Sequence, residues 1–196
     1  MENSEVNEAA PKYNYYTIDD YLAIERQSEN KYELHEGKLV TMQGASENHV
    51  NIVANLMIEI GSFLKNKSCR IVCNDLKVAV KPIDTVLYPD LIILCEESKT
   101  YDEQKDVLLN PVTIIEILSP STEGYDRGRK FYFYRQIETL CQYILVDSTS
   151  HYLYSSIKQK NGKWLSIETE DITQSLSIEA INFTLPLSEI YHRISF

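Results

Sequence analysis

Apolar residues recur at helical spacing in a few stretches of the chain and at strand spacing in several others. A first helix is predicted from Thr17 to about Gln27, where Thr17 and Asp20 form a capping-box variant ahead of Ile18 and Leu22. A longer one is predicted over about 47–65, with Val50, Val53, Ala54, Met57 and Ile58 on its apolar face. Between them Tyr32, Glu33 and Leu34 lead into Gly37, a turn residue, and a short strand over 38–42. Strands are read at 70–74 and 76–81. In the second, Leu76, Val78 and Val80 alternate with Lys77, Ala79 and Lys81, which predicts one wet face. Residues 86–95 read as an apolar strand interrupted by Pro89 and Asp90, and 96–110 as a polar connection. Residues 112–118 read as a strand that is apolar apart from Glu116, and 141–146 as another buried strand. An aromatic and basic helix is predicted over 126–136. Alternation over 151–160 and 164–169 around Asn161 and Gly162 predicts a hairpin with a type I′ turn.

This order of helices and strands predicts an α/β fold with a mixed sheet. Residues 1–13 read as a flexible tail and 14–196 as one domain, with a core over about 17–150 and a C-terminal hairpin extension over 151–196. The apolar runs are strand-sized, far short of the roughly 20 residues a membrane span needs, so no membrane partner is expected. The opening residues lack the basic and apolar regions of a signal peptide. Cys69, Cys73, Cys95 and Cys141 form no CxxC pair and read as buried, reduced thiols, which suits a cytoplasmic location.

Charge narrows the function. The 19 basic and 29 acidic residues of this 196-residue chain give a net charge of −10, which argues against broad, non-specific nucleic-acid binding. It leaves room for a local basic patch or bound cations. Two carboxylates stand inside apolar strands, Asp90 and Glu116. A lone buried carboxylate costs several kcal/mol or takes up a proton. Two on successive strands suggest a shared purpose such as a divalent metal, although acids capping strand ends or pairing with arginine would look the same. Downstream, Asp126, Lys130 and Tyr134 are spaced to share one helix face, in a basic island with Arg127, Arg129 and Arg135. The surrounding aromatics, Tyr125, Phe131, Tyr132 and Phe133, suit either packing or stacking on bases. No P-loop, GxGxxG or GxSxG motif is present.

An ordered set of motifs then carries a resemblance. Tyr88-Pro89-Asp90, Ile115-Glu116-Ile117-Leu118-Ser119-Pro120, Asp126 with Lys130, Tyr134 and Tyr143 to Asp147 follow one another, after an upstream Tyr32-Glu33-Leu34 with Gly37 and His49. Over roughly residues 17–150 this resembles the bacterial "putative restriction endonuclease" family, formerly a domain of unknown function, of the PD-(D/E)XK nuclease superfamily. The resemblance implies a restriction-endonuclease-like core: a central mixed β-sheet flanked by helices. It implies that Asp90 and Glu116, with Glu33, hold Mg²⁺ or Mn²⁺ and that Lys130 acts electrostatically, all four being catalytic. The superfamily's usual lysine stands two residues beyond the second acid. That position is Leu118 here, and Lys130 on the next helix is the residue that matches. His49, Asp126 and Tyr134 take accessory places, with His49 also explicable as an ordinary helix histidine, and Arg127 and Arg129 would contact phosphate. The implied activity is metal-dependent hydrolysis of phosphodiester bonds in DNA, by a homodimer. Two rivals are a nuclease-fold protein that binds without cutting and a metal-dependent hydrolase of small phosphoesters. The enzyme reading requires Asp90, Glu116 and Lys130 to converge within about 4–8 Å.

Overall fold

The structure, a computed structural model, describes residues 15–42, 44–73, 75–120 and 123–196. The tail expected over 1–13 and Ser121 and Thr122 of the loop after Glu116 lie outside the described residues. Helix α1 (Ile18–Glu25) opens with the expected capping box, the Thr17 hydroxyl accepting from the Asp20 N–H and the Asp20 carboxylate from the Thr17 N–H. Strands β1 (Tyr32–His35) and β2 (Lys38–Thr41) form a hairpin. Its turn places Glu36 and Gly37 at φ 47° and 78°, the left-handed pair of a tight two-residue connection. Helix α2 (Glu47–Leu64) follows, then β3 (Arg70–Cys73), β4 (Lys77–Val80), β5 (Thr85–Leu87), β6 (Leu91–Leu94), β7 (Val107–Leu108) and β8 (Thr113–Leu118).

Next come α3 (Glu123–Tyr125), a widened π-type turn over Asp126–Lys130 and α4 (Phe131–Tyr134), which together run as one helical stretch. Strands β9 (Gln142–Asp147), β10 (Leu153–Lys158), β11 (Trp164–Thr169), β12 (Ser175–Ile178) and β13 (Phe183–Pro186) and helix α5 (Leu187–Ile190) complete the fold.

Among the described residues the strands form two mixed sheets and a small hairpin. One sheet runs β2-β1-β5-β4-β7 and the other β11-β10-β9-β8-β6-β3, with parallel pairs β4–β7 and β8–β9, while β12 and β13 pair alone. The apolar faces explain the layering. Ile52, Leu56, Ile60 and Leu64 of α2 cover one face of the six-stranded sheet, against Leu91, Ile93, Ile115 and Ile117. On its other face Ile92, Ile114, Leu118 and Tyr143 pack with Phe133 and Tyr134 and with Val78, Val80 and Leu87 of the five-stranded sheet. Helix α1 closes the far side of that second sheet through Ile18, Tyr21 and Leu22.

Several expectations change. The stretch 86–95 is two strands in different sheets, because Pro89 has no N–H to continue a ladder and the chain crosses between sheets there. Strand β4 is buried on both faces: Ala79 packs under α1, and Lys77 is sunk in an ion cluster with Glu25 and Asp106. In the β10–β11 hairpin only Gly162 adopts positive φ and Gln159 donates to the Lys163 carbonyl. That is a three-residue connection rather than a type I′ turn. The thiols also differ. Cys69 and Cys95, neighbours across β3 and β6, are joined in a disulfide, and Cys141 is exposed. No helix of the described residues is long and apolar enough to cross a membrane.

Candidate active site

The crossover from β5 to β6 builds the centre of the site. The β1–β5 ladder carries a single rung, Leu34 opposite Val86, and the β6–β8 ladder stops at Leu91 opposite Ile115. Main-chain donors beyond those rungs must find other acceptors, and carboxylates supply them. Glu33 Oε1 accepts the Tyr88 N–H at 2.9 Å. Asp90 Oδ2 accepts the Ile117 N–H at 2.7 Å, and Glu116 Oε2 faces the Asp90 N–H at 3.4 Å. The strand break at Pro89 therefore brings Glu33, Asp90 and Glu116 to one place.

Glu116 shares its face of β8 with Ile114 and Leu118. Leu118 is spent in that core, and the cation arrives from the helical stretch packed on the same face. Lys130 Nζ lies 3.0 Å from Glu116, 3.5 Å from Asp126 and 3.7 Å from Glu33. The Tyr134 hydroxyl donates to Glu116 Oε1 at 2.9 Å. Asp126, Lys130 and Tyr134 are all buried on this side, as their spacing predicts. His49, one turn into α2, sets Nε2 3.0 Å from Asp90 Oδ1.

These groups line a cavity of about 520 Å³, with Glu33, Asp90, Glu116, Asp126 and Lys130 on its wall. Four carboxylates thus share the wall with one ammonium, and three of them, Glu116, Asp126 and Glu33, pair with it. Burial raises the Glu116 carboxyl well above its ordinary value, Lys130 opposes the rise, and Asp90, Asp126 and Glu33 add to it. For Glu33, burial pushes up, but Lys130 with the His35 and Tyr88 hydrogen bonds outweighs it and the carboxyl is lowered. Burial opposes the Lys130 charge, yet Glu116, Glu33 and Asp126 hold its ammonium well above the usual lysine value.

The structure brings Asp90 and Lys130 each to Glu116, with Glu33 beside Lys130. Arg127 and Arg129 are not brought to the cavity wall. Arg127 binds Glu123 and the Tyr152 hydroxyl, and Arg129 pairs with Glu36. Three wall residues carry roles that were not assigned from the sequence, where Tyr88 was named only as part of the Tyr88–Asp90 motif and Tyr125 only among the aromatics. His35 Nε2 lies 2.7 Å from Glu33 Oε2, and Tyr125 stacks on His35 with ring centroids 5.0 Å apart. Tyr88 offers its N–H to Glu33 and its hydroxyl to Glu25. The position of His35 two residues beyond Glu33 on a strand was a usable signal, because such residues share a face.

Comparison with known proteins bears on the family and the fold. A family model described as "Putative restriction endonuclease", Uma2, matches residues 18–188. The chain belongs to the Uma2 family. Two uncharacterised proteins of Synechocystis are similar to it. One, sll1609, is 31% identical over 152 residues, 78% of this chain and 86% of its own length. The other, slr1290, is 30% identical over 178 residues, 91% of this chain and 92% of its own length. A crystal structure from Anabaena variabilis, titled as a putative nuclease belonging to DUF820, superposes with a TM-score of 0.74 at 16% identity, covering 89% of this chain and 97% of that one. The likeness shows the fold: mixed α/β, with mixed sheets flanked by helices. Family and fold together make this Uma2 protein a restriction-endonuclease-like chain.

Proposed function

We propose that this Uma2 protein is a metal-dependent endonuclease that hydrolyses phosphodiester bonds of DNA, working in the cytoplasm as a homodimer, with residues 14–196 forming one nuclease domain. The observation that carries the reading is the meeting of Asp90, Glu116 and Lys130, from three separate elements, on one cavity wall.

The donor chemistry fits a hard divalent cation. Four carboxylates share the wall with one ammonium, and Glu116 carries a raised carboxyl that a cation would relieve. Among the described residues no cluster of three or more His, Cys, Asp or Glu is preformed for a metal. Asp90 and Glu116 are therefore the pair we assign to Mg²⁺ or Mn²⁺. Glu33, assigned a ligand role by the family resemblance, has both oxygens engaged by Tyr88, His35 and Lys130. We assign it the task of fixing the Tyr88–Asp90 crossover and the ammonium. The bound metal supplies charge neutralisation on the phosphate and an activated water.

The chain's own groups do the rest. The Ile117 N–H and His49 fix the Asp90 carboxylate from two sides, and Tyr134 and Lys130 orient Glu116. Lys130 keeps its proton and stands where negative charge on a transferring phosphate would develop. Its placement answers the missing lysine at Leu118 and favours an enzyme over a fold that binds without cutting. The recessed, acidic cavity keeps a small phosphodiester as the second reading.

Plasmid nicking in Mg²⁺ or Mn²⁺ tests the proposal. Asp90→Ala and Lys130→Ala should each lower the rate by roughly 10²-fold or more. Rates unchanged by both would sink it. Turnover of a small phosphodiester without nicking would put the second reading in its place.

A further inference from the structure

Most of the reactive groups are buried in the cavity wall, with Asp90 partly exposed. Glu116, Asp126, Glu33 and Lys130 are 2%, 3%, 5% and 8% exposed. Where the wall reaches the surface it carries two exposed valines, which form a rim: Val40 of β2 is 39% exposed and Val50 of α2 54%. Lys130 is the one lysine or arginine on the cavity wall among the described residues. The nearby arginines are engaged by acids, Arg127 by Glu123 and Arg129 by Glu36.

A protein that grips duplex DNA neutralises several phosphates along a track of cations. Among the described residues the cavity wall carries no second lysine or arginine, and the chain as a whole carries −10. A duplex holds its phosphates on a stiff rod, and lowering one of them into a recess to reach Lys130 would require the backbone to bend off its regular path. An unpaired strand pays no such bending cost. It can turn sharply at one nucleotide, lower one phosphate to Lys130 and lay the adjoining base or sugar on the valine rim.

We propose that the substrate of this site is unpaired DNA, a single strand or a frayed or looped segment, admitted past Val40 and Val50. This rests on the nuclease reading above and names the substrate that reading leaves open.

The test compares a fluorescent oligothymidylate with the same run locked in a hairpin duplex. Cleavage is followed in Mn²⁺, and binding by anisotropy in Ca²⁺. The expected result is cleavage of the single strand roughly tenfold or more faster than the duplex. Val50→Ser and Val40→Ser should each weaken oligothymidylate binding about threefold to tenfold and raise KM with kcat little changed. Equal or faster cutting of the duplex overturns the substrate assignment while leaving the nuclease reading in place. Preserved affinity in both valine variants overturns the role of the rim. Cleavage of neither DNA in Mg²⁺ or Mn²⁺ overturns the nuclease reading, and this inference with it.

Discussion

Glu116 and Glu33 face the same ammonium, yet the protein shifts them in opposite directions. Glu116 is raised, chiefly by burial, so the folded chain holds a proton there to higher pH than the unfolded chain does. Over that window, upward from the ordinary glutamate value, its contribution to stability falls as pH rises. Glu33 is lowered once Lys130, His35 and the Tyr88 N–H outweigh burial. Its contribution is present above the ordinary value and is lost as pH falls through the folded one. Near neutral pH the isosteric amides should therefore have opposite effects in metal-free protein. Glu116→Gln should raise the melting temperature, because its amide oxygen still accepts from Tyr134 and Lys130 while the buried charge is gone. Each unit of upward shift relieved is worth about 1.4 kcal/mol. Glu33→Gln should lower it, by about 1–3 kcal/mol. Melts in a chelator across the pH range check both. A Glu116→Gln protein less stable than wild type at every pH would show that the Lys130 pair, rather than burial, governs that carboxyl. Adding Mg²⁺ should raise the wild-type melting temperature and leave that of Glu116→Gln nearly unchanged.

At the scale of elements, much of the fold was legible where local periodicity decides it. The α1 capping box and the extent of α2 were readable because neighbours in sequence enforce them, but α2 buries Ile52, Leu56, Ile60 and Leu64 against the six-stranded sheet and leaves Val50 and Ile58 of the expected face exposed. Asp90 and Glu116 stood out because a carboxylate inside an apolar strand is costly, and Lys130 through its spacing with Asp126 and Tyr134 and the ordered family motifs. What escaped depended on partners distant in sequence. Lys77 looked wet, yet its ammonium lies 3.1 Å from Glu25 of α1 and 2.8 Å from Asp106 ahead of β7, and no local pattern announces either. The cluster ties β4 to α1. Its effect reaches the site, because Glu25 also holds the Tyr88 hydroxyl one step from Pro89. Hydrogen bonding to Arg26, with Lys77 adding and burial opposing, brings the Asp106 carboxyl down to about 2. The stability it contributes is therefore complete above the ordinary aspartate value and fades as pH falls toward about 2. Lys77→Met should leave Glu25 buried without its cation and destabilise the protein by about 3–5 kcal/mol in urea unfolding at neutral pH. A loss under about 1 kcal/mol would mean that water, not Lys77, balances Glu25.

At the scale of the whole molecule, the proposed homodimer needs an interface, and the six-stranded sheet offers a place. Strand β11 is its outer strand and, among the described residues, pairs with β10 alone. Leu165 and Ile167 are each about half exposed on one face of it. Outer strands are commonly protected by lysine or proline, and Trp164–Thr169 contains neither, with Glu168 its sole charge. Two copies laying β11 against β11 antiparallel about a twofold axis would join their sheets, cover both apolar pairs and satisfy the free main-chain groups. Wild-type protein should then sediment as a dimer at micromolar concentration, and Ile167→Lys as a folded monomer with an unchanged circular dichroism spectrum. Because β11 contributes nothing to the cavity wall, that monomer should still cleave the oligothymidylate at close to the wild-type rate. A wild-type chain that sediments as a monomer would remove the dimer from the proposal. A dimer unaffected by Ile167→Lys would move the contact to another face of the molecule.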